Sequence, residues 1–377
     1  MKSNIMADAT TIPIPERRRF ETLDSLRFFA FLRVFFLHVG LASFPLIHQF
    51  TRGGENGVSF FFTLSGFLIS YLLFQEKLST GKVDLGAFML RRVLRIWPLY
   101  FLMAGVAYAT PWFLSTTGFY HAQSGYDPDW RFTFFFLENY RLIIENNHPN
   151  VAPLWVMWSL CVEEHYYILW GLLFTFVSVR KLPIVLSVMT ILPYAFRYYY
   201  RLHGWDWIDL PTNLDYFAFG GLTAYLYIRY TDKIEAFAEK IPKALVVGFL
   251  TCTVAFVYLE WRVLQNGYIS ICRPTILSIV FSLVLLVLVP KKSKIKLSEK
   301  NPLSWLGTIS YGLYLIHTVS NSFVKSIFIK NGVMLNVPIN ATIYIMTTLT
   351  VVILLSAASY YLFETRFLNL KKRFKKG

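Results

Sequence analysis

The chain has 377 residues, 55% of them hydrophobic and 18% aromatic, with 16% charged and a mean hydropathy of +0.46. A soluble domain carries about 25% charged residues, so this composition excludes a water-soluble globule and points to one all-α polytopic membrane unit. The formal net charge of +15, from 37 Lys and Arg against 22 Asp and Glu, fits nucleic acid, anionic lipid or membrane topology, and the placement of the charges decides among them.

The first 25 residues are polar and contain Arg17, Arg18 and Arg19, without a short apolar stretch followed by a small-residue cleavage site. No removable signal peptide is expected there. Apolar runs long enough to cross a bilayer, roughly 20 residues, follow at about 26–47, 57–75, 94–114, 153–177, 182–200, 210–228, 244–259, 272–290, 303–324 and 339–363. About ten transmembrane helices in one bundle are therefore expected. The organisation is read as a cytoplasmic N-terminal segment (1–25), a transmembrane domain (26–366) and a basic cytoplasmic tail (367–377).

Lys and Arg gather in the N-terminal segment, in the alternate connections 75–95, 177–183, 229–243 and 290–304, and in the tail. That asymmetry is the positive-inside pattern and puts both termini in the cytoplasm. It accounts for the basic balance through membrane lipid and topology, with no nucleic-acid partner, and the tail Lys371-Lys372-Arg373-Phe374-Lys375-Lys376 reads as an anchor at anionic headgroups. The connection 115–152 interleaves Tyr120, His121, Asp127, Asp129, Trp130, Glu138, Asn139 and His148 with several Phe. It reads equally as a sugar-binding surface and as an interfacial lid packed on its own bundle. Cys161, Cys252 and Cys272 lie in or beside apolar runs without metal-ligand spacing, so they read as small buried side chains, with no metal site.

Ionisable residues at membrane depth are costly and are functional candidates by default. The first run carries Arg27, Arg33 and His38, the fourth Glu163, Glu164 and His165, the sixth Asp215 and the ninth His317. At 100° per residue, Arg27 and His38 share one helix face about 16 Å apart. Glu163, Glu164, His38 and His317 fall at comparable depth, as a shared site requires. Neighbouring positions point 100° apart, so one of Glu163 and Glu164 is expected to meet a histidine and the other Arg33 or backbone; which is which stays open. In the run Arg91-Arg92-Val93-Leu94-Arg95, the pair Arg92 and Arg95 sits at i, i+3, a spacing suited to gripping phosphate.

Leu23-Asp24-Ser25-Leu26-Arg27, followed after ten residues by His38, resembles the first-helix signature of the acyltransferase family 3 membrane proteins, bacterial O-acetyltransferases that modify surface polysaccharides. Further blocks agree in order: Gly57 to Ile69, the Arg92 and Arg95 pair, Trp158-Ser159-Leu160-Cys161-Val162-Glu163-Glu164-His165-Tyr166-Tyr167, Ile309-Ser310-Tyr311-Gly312-Leu313-Tyr314-Leu315-Ile316-His317, and Phe363-Glu364-Thr365-Arg366-Phe367. The resemblance implies a multi-pass protein of the bacterial inner membrane that moves an acyl group, usually acetyl, from cytoplasmic acetyl-CoA to a hydroxyl of a cell-surface glycan or lipid-linked sugar. It implies that His38 is essential, that Arg27 is its partner and that Arg92 with Arg95 serves the donor. His165 stands where the family commonly has Gln, and Thr365 where the last block usually reads Glu-Arg-Pro. No esterase-like domain is expected after the last run, so acceptor choice falls to the bundle, its outer connections or a separate partner.

The residues fit that chemistry. An imidazole with a pKa near 6.5 is matched to deprotonating a hydroxyl at neutral pH, so His38 is expected to act as general base. Glu163 or Glu164 is expected to orient it and to stabilise the imidazolium. Arg27, Arg92 and Arg95 are expected to bind the donor. A route through an acyl-histidine is the alternative order of events. The alternative function is a proton-coupled membrane exporter of a glycolipid or small molecule.

Overall fold

In a bilayer every backbone N–H and C=O of a spanning segment must be satisfied within the protein, which a helix does unaided. The computed structural model of the chain describes residues 18, 20–40, 44, 51–117, 124–297 and 300–370, and its regular structure is helical. Arg17 and Arg19 of the N-terminal segment, most of positions 41–50 at the end of the first apolar run, Tyr120 and His121, and the tail from Lys371 lie outside the described residues.

The helices are, in order, α1 (Glu21–His38), α2 (Asn56–Thr80), α3 (Leu85–Thr117), α4 (Trp130–Phe134), α5 (Glu138–Glu145), α6 (Met157–Phe176), α7 (Leu182–Met189), α8 (Leu192–His203), α9 (Leu210–Arg229), α10 (Thr231–Lys240), α11 (Lys243–Leu259), α12 (Trp261–Leu264), α13 (Arg273–Leu288), α14 (Pro302–Thr308), α15 (Ser310–Lys330), α16 (Pro338–Ser359) and α17 (Thr365–Leu370). Local chemistry sets several starts. The Asp209 carboxylate accepts from the Thr212 backbone N–H at 3.0 Å at the head of α9, and Asn301 accepts from the Leu303 N–H at 3.0 Å at the head of α14, each meeting an N–H that the first turn leaves unpaired. The last turn of α16 opens into a π turn over Tyr360–Glu364.

Among the described residues, five helical stretches are long and apolar enough to cross a membrane: Asn56–Thr80, Leu85–Thr117, Leu182–His203, Gly267–Leu288 and Pro338–Leu370. The pair α10 and α11, bent by 100°, makes a sixth if it is one span. The expected runs outside this set correspond to α1, α6, α9 and α15, the helices that carry Arg27, Arg33, His38, Glu163, Glu164, Asp215 and His317. Their polar residues lower their hydropathy, and the bundle surrounds them; α9 in particular is buried along most of its length.

Close approach at glycines brings these helices together, as small residues do in membrane bundles. At the crossing of α2 and α9, a Cβ on Gly220 would lie 2.2 Å from the Thr63 carbonyl oxygen, and one on Gly66 would lie 2.4 Å from that of Phe217. Gly307 of α14 sits so close to α1 that an added Cβ would fall 1.7 Å from the Asp24 carbonyl oxygen. The larger apolar core surrounds α2, α6 and α9, with Tyr166 stacked on Phe217 at 4.0 Å between ring centres. A smaller core of Phe28, Phe31, Phe35, Leu313 and Tyr344 joins α1, α15 and α16.

Candidate active site

The first helix ends on a histidine. Asn321 of α15 donates from its side-chain amide to the His38 carbonyl oxygen at 2.7 Å, taking up one of the carbonyls that a helix C-terminus leaves open. Tyr344 of α16 donates in turn to the Asn321 side-chain oxygen. Against the half-buried His38 ring lies His317, fully buried in α15. Its Nε2 is 3.2 Å from His38 Nδ1, and the rings meet edge to face with centres 5.0 Å apart. His317 Nδ1 lies 2.6 Å from the Tyr314 carbonyl oxygen, and His38 Nδ1 also lies 3.0 Å from that of Val34. The edge of Phe31 closes the apolar side of His317 at 5.8 Å.

The residue paired with His38 is thus His317, and neither Glu163 nor Glu164 is hydrogen-bonded to it. Glu163 accepts from the Ser65 hydroxyl at 3.1 Å and from the Tyr167 hydroxyl at 2.8 Å. Glu164 is buried, is bonded by Trp97, and has one oxygen without a protein partner. The physical reason lies in how α6 meets α15. Their contact runs through Ser159 and the Tyr314 hydroxyl at 2.6 Å, one turn short of both Glu163 and His317, so the carboxylates turn to α2 and α3. Arg33 also goes elsewhere: it donates to the Arg52 carbonyl at 2.6 Å and lies 4.1 Å from the centre of the Tyr258 ring. His165 packs beside Tyr140, at 5.7 Å between ring centres, on the side of α5 rather than against His38.

At the opposite end of α1 a cavity of about 290 Å³ is lined by Arg18, Asp24, Arg27, Arg95, Tyr311 and Glu364, among others. Arg27 forms an i, i+3 ion pair with Asp24. Arg95 is exposed to this cavity, whereas Arg92 is not among its lining. Arg92 is buried, with its guanidinium 5.9 Å from the ring centres of Phe88 and Tyr167 and its Nε without a protein partner. The i, i+3 spacing therefore places one guanidinium in the cavity and the other in an aromatic slot behind it. Glu163, Arg95 and Arg27 lie within electrostatic reach of one another.

Sequence reasoning did not select Arg18, Tyr311 or Glu364. Tyr311 donates to the Ile96 carbonyl at 2.7 Å, tying α15 to α3, and the Ser359 hydroxyl donates to Glu364 at 2.9 Å. Both residues sit inside blocks that stand out in the sequence; the π turn that aims Glu364 at the cavity has no signal there. Thr365 donates to the Tyr361 carbonyl at 2.9 Å. Asp215, a candidate by its depth, is a structural ion: Arg197 donates to it at 2.5 Å and Thr275 at 2.6 Å, with both charged side chains fully buried. In the connection between α3 and α6, side-chain bonds and a backbone N–H bond from Arg131 hold the half-buried Asp129 carboxyl down to about 2, and burial raises the Glu138 carboxyl. Among the described residues, no three His, Cys, Asp or Glu gather as a metal site would need.

A family model described as an acyltransferase domain matches residues 20–357. The O-acetyltransferase OatA of Staphylococcus aureus strain NCTC 8325 is 27% identical over 336 residues, which cover 82% of this chain and 52% of that protein. The peptidoglycan O-acetyltransferase OatA of Listeria monocytogenes serovar 1/2a is 25% identical over 318 residues, 80% of this chain and 49% of that protein. A putative O-acetyltransferase of S. aureus strain COL is 25% identical over 369 residues, 92% of this chain and 56% of that protein. The chain spans about half the length of these curated relatives. No solved structure matches it.

Proposed function

The chain belongs to the acyltransferase 3 family, and from that premise we propose that it is an integral membrane O-acyltransferase, moving an acetyl group from acetyl-CoA to a hydroxyl of a cell-envelope glycan or lipid-linked sugar. One observation carries the reading: a single face of α1 joins a guanidinium-lined cavity at Arg27 to the imidazole of His38, about 16 Å further along the axis. The exporter alternative gives no reason for that pairing. The positive-inside pattern supports ten spans with both termini, and hence the cavity, on the cytoplasmic side of a bacterial inner membrane. The peptidoglycan named for the Listeria relative supports a glycan acceptor on the other side.

The residues of the cavity fit an acyl-CoA. Of the guanidiniums lining it, Arg27 is paired with Asp24 and Arg18 with Glu235 at 3.6 Å; Arg95, exposed to the cavity, is the one placed to grip phosphate through paired N–H donors. Bound there, the acyl-CoA supplies an activated thioester carbonyl. Arg27 and Arg95 orient it, and Arg92, stacked behind Arg95 against Tyr167, adds positive potential without direct access to the cavity. Glu163, fixed by Ser65 and Tyr167, balances the charge of Arg27 and Arg95. His38 removes the proton of the acceptor hydroxyl, and holding two substrates along one helix face turns a bimolecular reaction into a positioned one.

The test is transfer of label from [acetyl]-CoA into glycan and lipid fractions by membranes containing the protein or its His38→Ala form. Label that enters a fraction with the parent and is absent with His38→Ala is the expected result and identifies the acceptor class. Equal labelling by both forms would overturn the role of His38. Absence of both labelling and CoA binding by the purified parent would favour an exporter.

A further inference from the structure

We propose that His317 is the positioning residue for His38: it fixes the tautomer of the base and shares the positive charge that the base acquires. The proposal rests on the acyltransferase reading above and gives the imidazole partner the role that a carboxylate has in other histidine-dependent acyl transfers.

The argument starts from a backbone carbonyl. The Tyr314 carbonyl oxygen, 2.6 Å from His317 Nδ1, can only accept, so that nitrogen carries the hydrogen and a neutral His317 presents a lone pair at Nε2. The next atom along is His38 Nδ1 at 3.2 Å, which must therefore donate. The Val34 carbonyl, 3.0 Å from the same Nδ1, requires the same assignment. With its hydrogen on Nδ1, a neutral His38 has its lone pair on Nε2, the tautomer a general base needs. Phe31 against the His317 ring and Asn321 on the His38 carbonyl hold both groups in place.

The groups that face the pair are few. Tyr314 and Asn321 come from α15, and His148 of the connection before α6 lies within electrostatic reach of His38. No carboxylate is hydrogen-bonded to either ring among the described residues. When the acceptor oxygen bonds to the acyl carbon, its proton passes to His38 Nε2, and the His38 Nδ1–H bond to His317 strengthens as the ring becomes cationic. The C–S bond then breaks, and the proton goes on to the departing thiolate, restoring the neutral pair. An imidazole acceptor stabilises the cation without placing a permanent anion at membrane depth, where an unpaired charge is costly.

The experiment measures acetyl transfer and CoA binding for His317→Phe, His317→Gln, His38→Ala and His38→Ala/His317→Phe in the purified full chain. His317→Phe removes the acceptor and is expected to lower kcat about 100-fold, the lower range for acid–base catalysis, with the donor KM unchanged. His317→Gln keeps an oxygen near the Nε2 position and is expected to retain activity within about tenfold of the parent. The double variant is expected to be no slower than His38→Ala, because the two residues act as a unit. Full activity of His317→Phe overturns the proposal, as does a double variant that loses the product of the two single effects. If His317→Phe no longer binds CoA, the glutamine variant decides: one that binds CoA normally and is as inactive as His38→Ala also overturns it. Full turnover by His38→Ala instead refutes the reading of His38 as base.

Discussion

Arg197 and Arg92 are both buried arginines within this bundle, and they could hardly be treated more differently. Arg197 donates from Nε to the Thr212 carbonyl at 2.8 Å, from one terminal nitrogen to the Ile271 carbonyl and the Thr275 hydroxyl at 3.2 and 3.3 Å, and from the other to Asp215 at 2.5 Å. Arg92 has two aromatic rings at 5.9 Å and an Nε with no protein partner. A second network behaves like the first: Arg273 grips Glu260 with two bonds of 2.7 Å and reaches Asn56 at 3.1 Å. The candidate site behaves like the second, with Glu164 keeping an unpartnered oxygen and the histidine pair lacking a carboxylate. Saturated networks lock helices together and have no capacity left for a ligand; unsaturated ones keep theirs, at a cost the surrounding fold must carry.

The largest effect should come from breaking a saturated network. Asp215→Ala leaves the Arg197 guanidinium buried without its counter-ion, a loss of about 3–5 kcal/mol for a broken buried pair. The expected outcome is a sharp fall in the fraction of protein that stays monodisperse in detergent after heating. Arg197→Met combined with Asp215→Leu should recover much of it, because a well-packed apolar pair replaces a buried ion pair at little cost. Arg92→Leu should do the reverse. Cation–π contacts are worth roughly 0.5–2 kcal/mol, so heat resistance should change little, whereas acetyl transfer should fall at least about tenfold through loss of potential behind Arg95. Arg92→Lys should not restore it, since a compact, strongly hydrated ammonium lacks the planar, delocalised face that a guanidinium offers the neighbouring rings. An Arg92→Leu protein as heat-sensitive as Asp215→Ala would erase the distinction between the two regions.

That distinction is invisible in the sequence, where Asp215, Glu163 and Glu164 look alike as acids in apolar runs. The helical periodicity that put Arg27 and His38 on one face needs only a regular helix, and α1 is continuous from Glu21 to His38. Depth counted along each run brought His317 level with His38 for the same reason. What periodicity cannot state is which helices are neighbours. The partner of Asp215 sits in α8, and the partner of His38 comes from α15 because Ser159 meets the Tyr314 hydroxyl and keeps α6 one turn away. The i, i+3 spacing of Arg92 and Arg95 was also legible, but a face of α3 wide enough for two arginines straddles the boundary between cavity and core. The π turn at Tyr360–Glu364 depends on tertiary packing and leaves no local mark.

Glu138 stands between the two kinds of region and gives the smallest and most local test. It lies in α5, outside the apolar spans, fully buried. The Thr133 hydroxyl donates to one of its oxygens, and the other has no protein partner. Burial, the dominant influence, raises its carboxyl above the ordinary range against the opposing effects of Thr133 and Arg141. A carboxyl raised in the folded state keeps its proton at a pH where the unfolded segment has already lost it. The stability of this segment is therefore greatest below the ordinary carboxyl pKa and declines as pH rises towards the raised value. Glu138→Gln preserves the shape and removes the titration, so it should flatten that decline and leave the segment better protected at neutral pH. Amide hydrogen exchange over residues 126–150, compared between pH 4 and pH 7, reads the difference. The same pH slope in parent and Glu138→Gln would show that the half-satisfied carboxyl is already ionised and compensated, which would move it to the saturated side of the comparison.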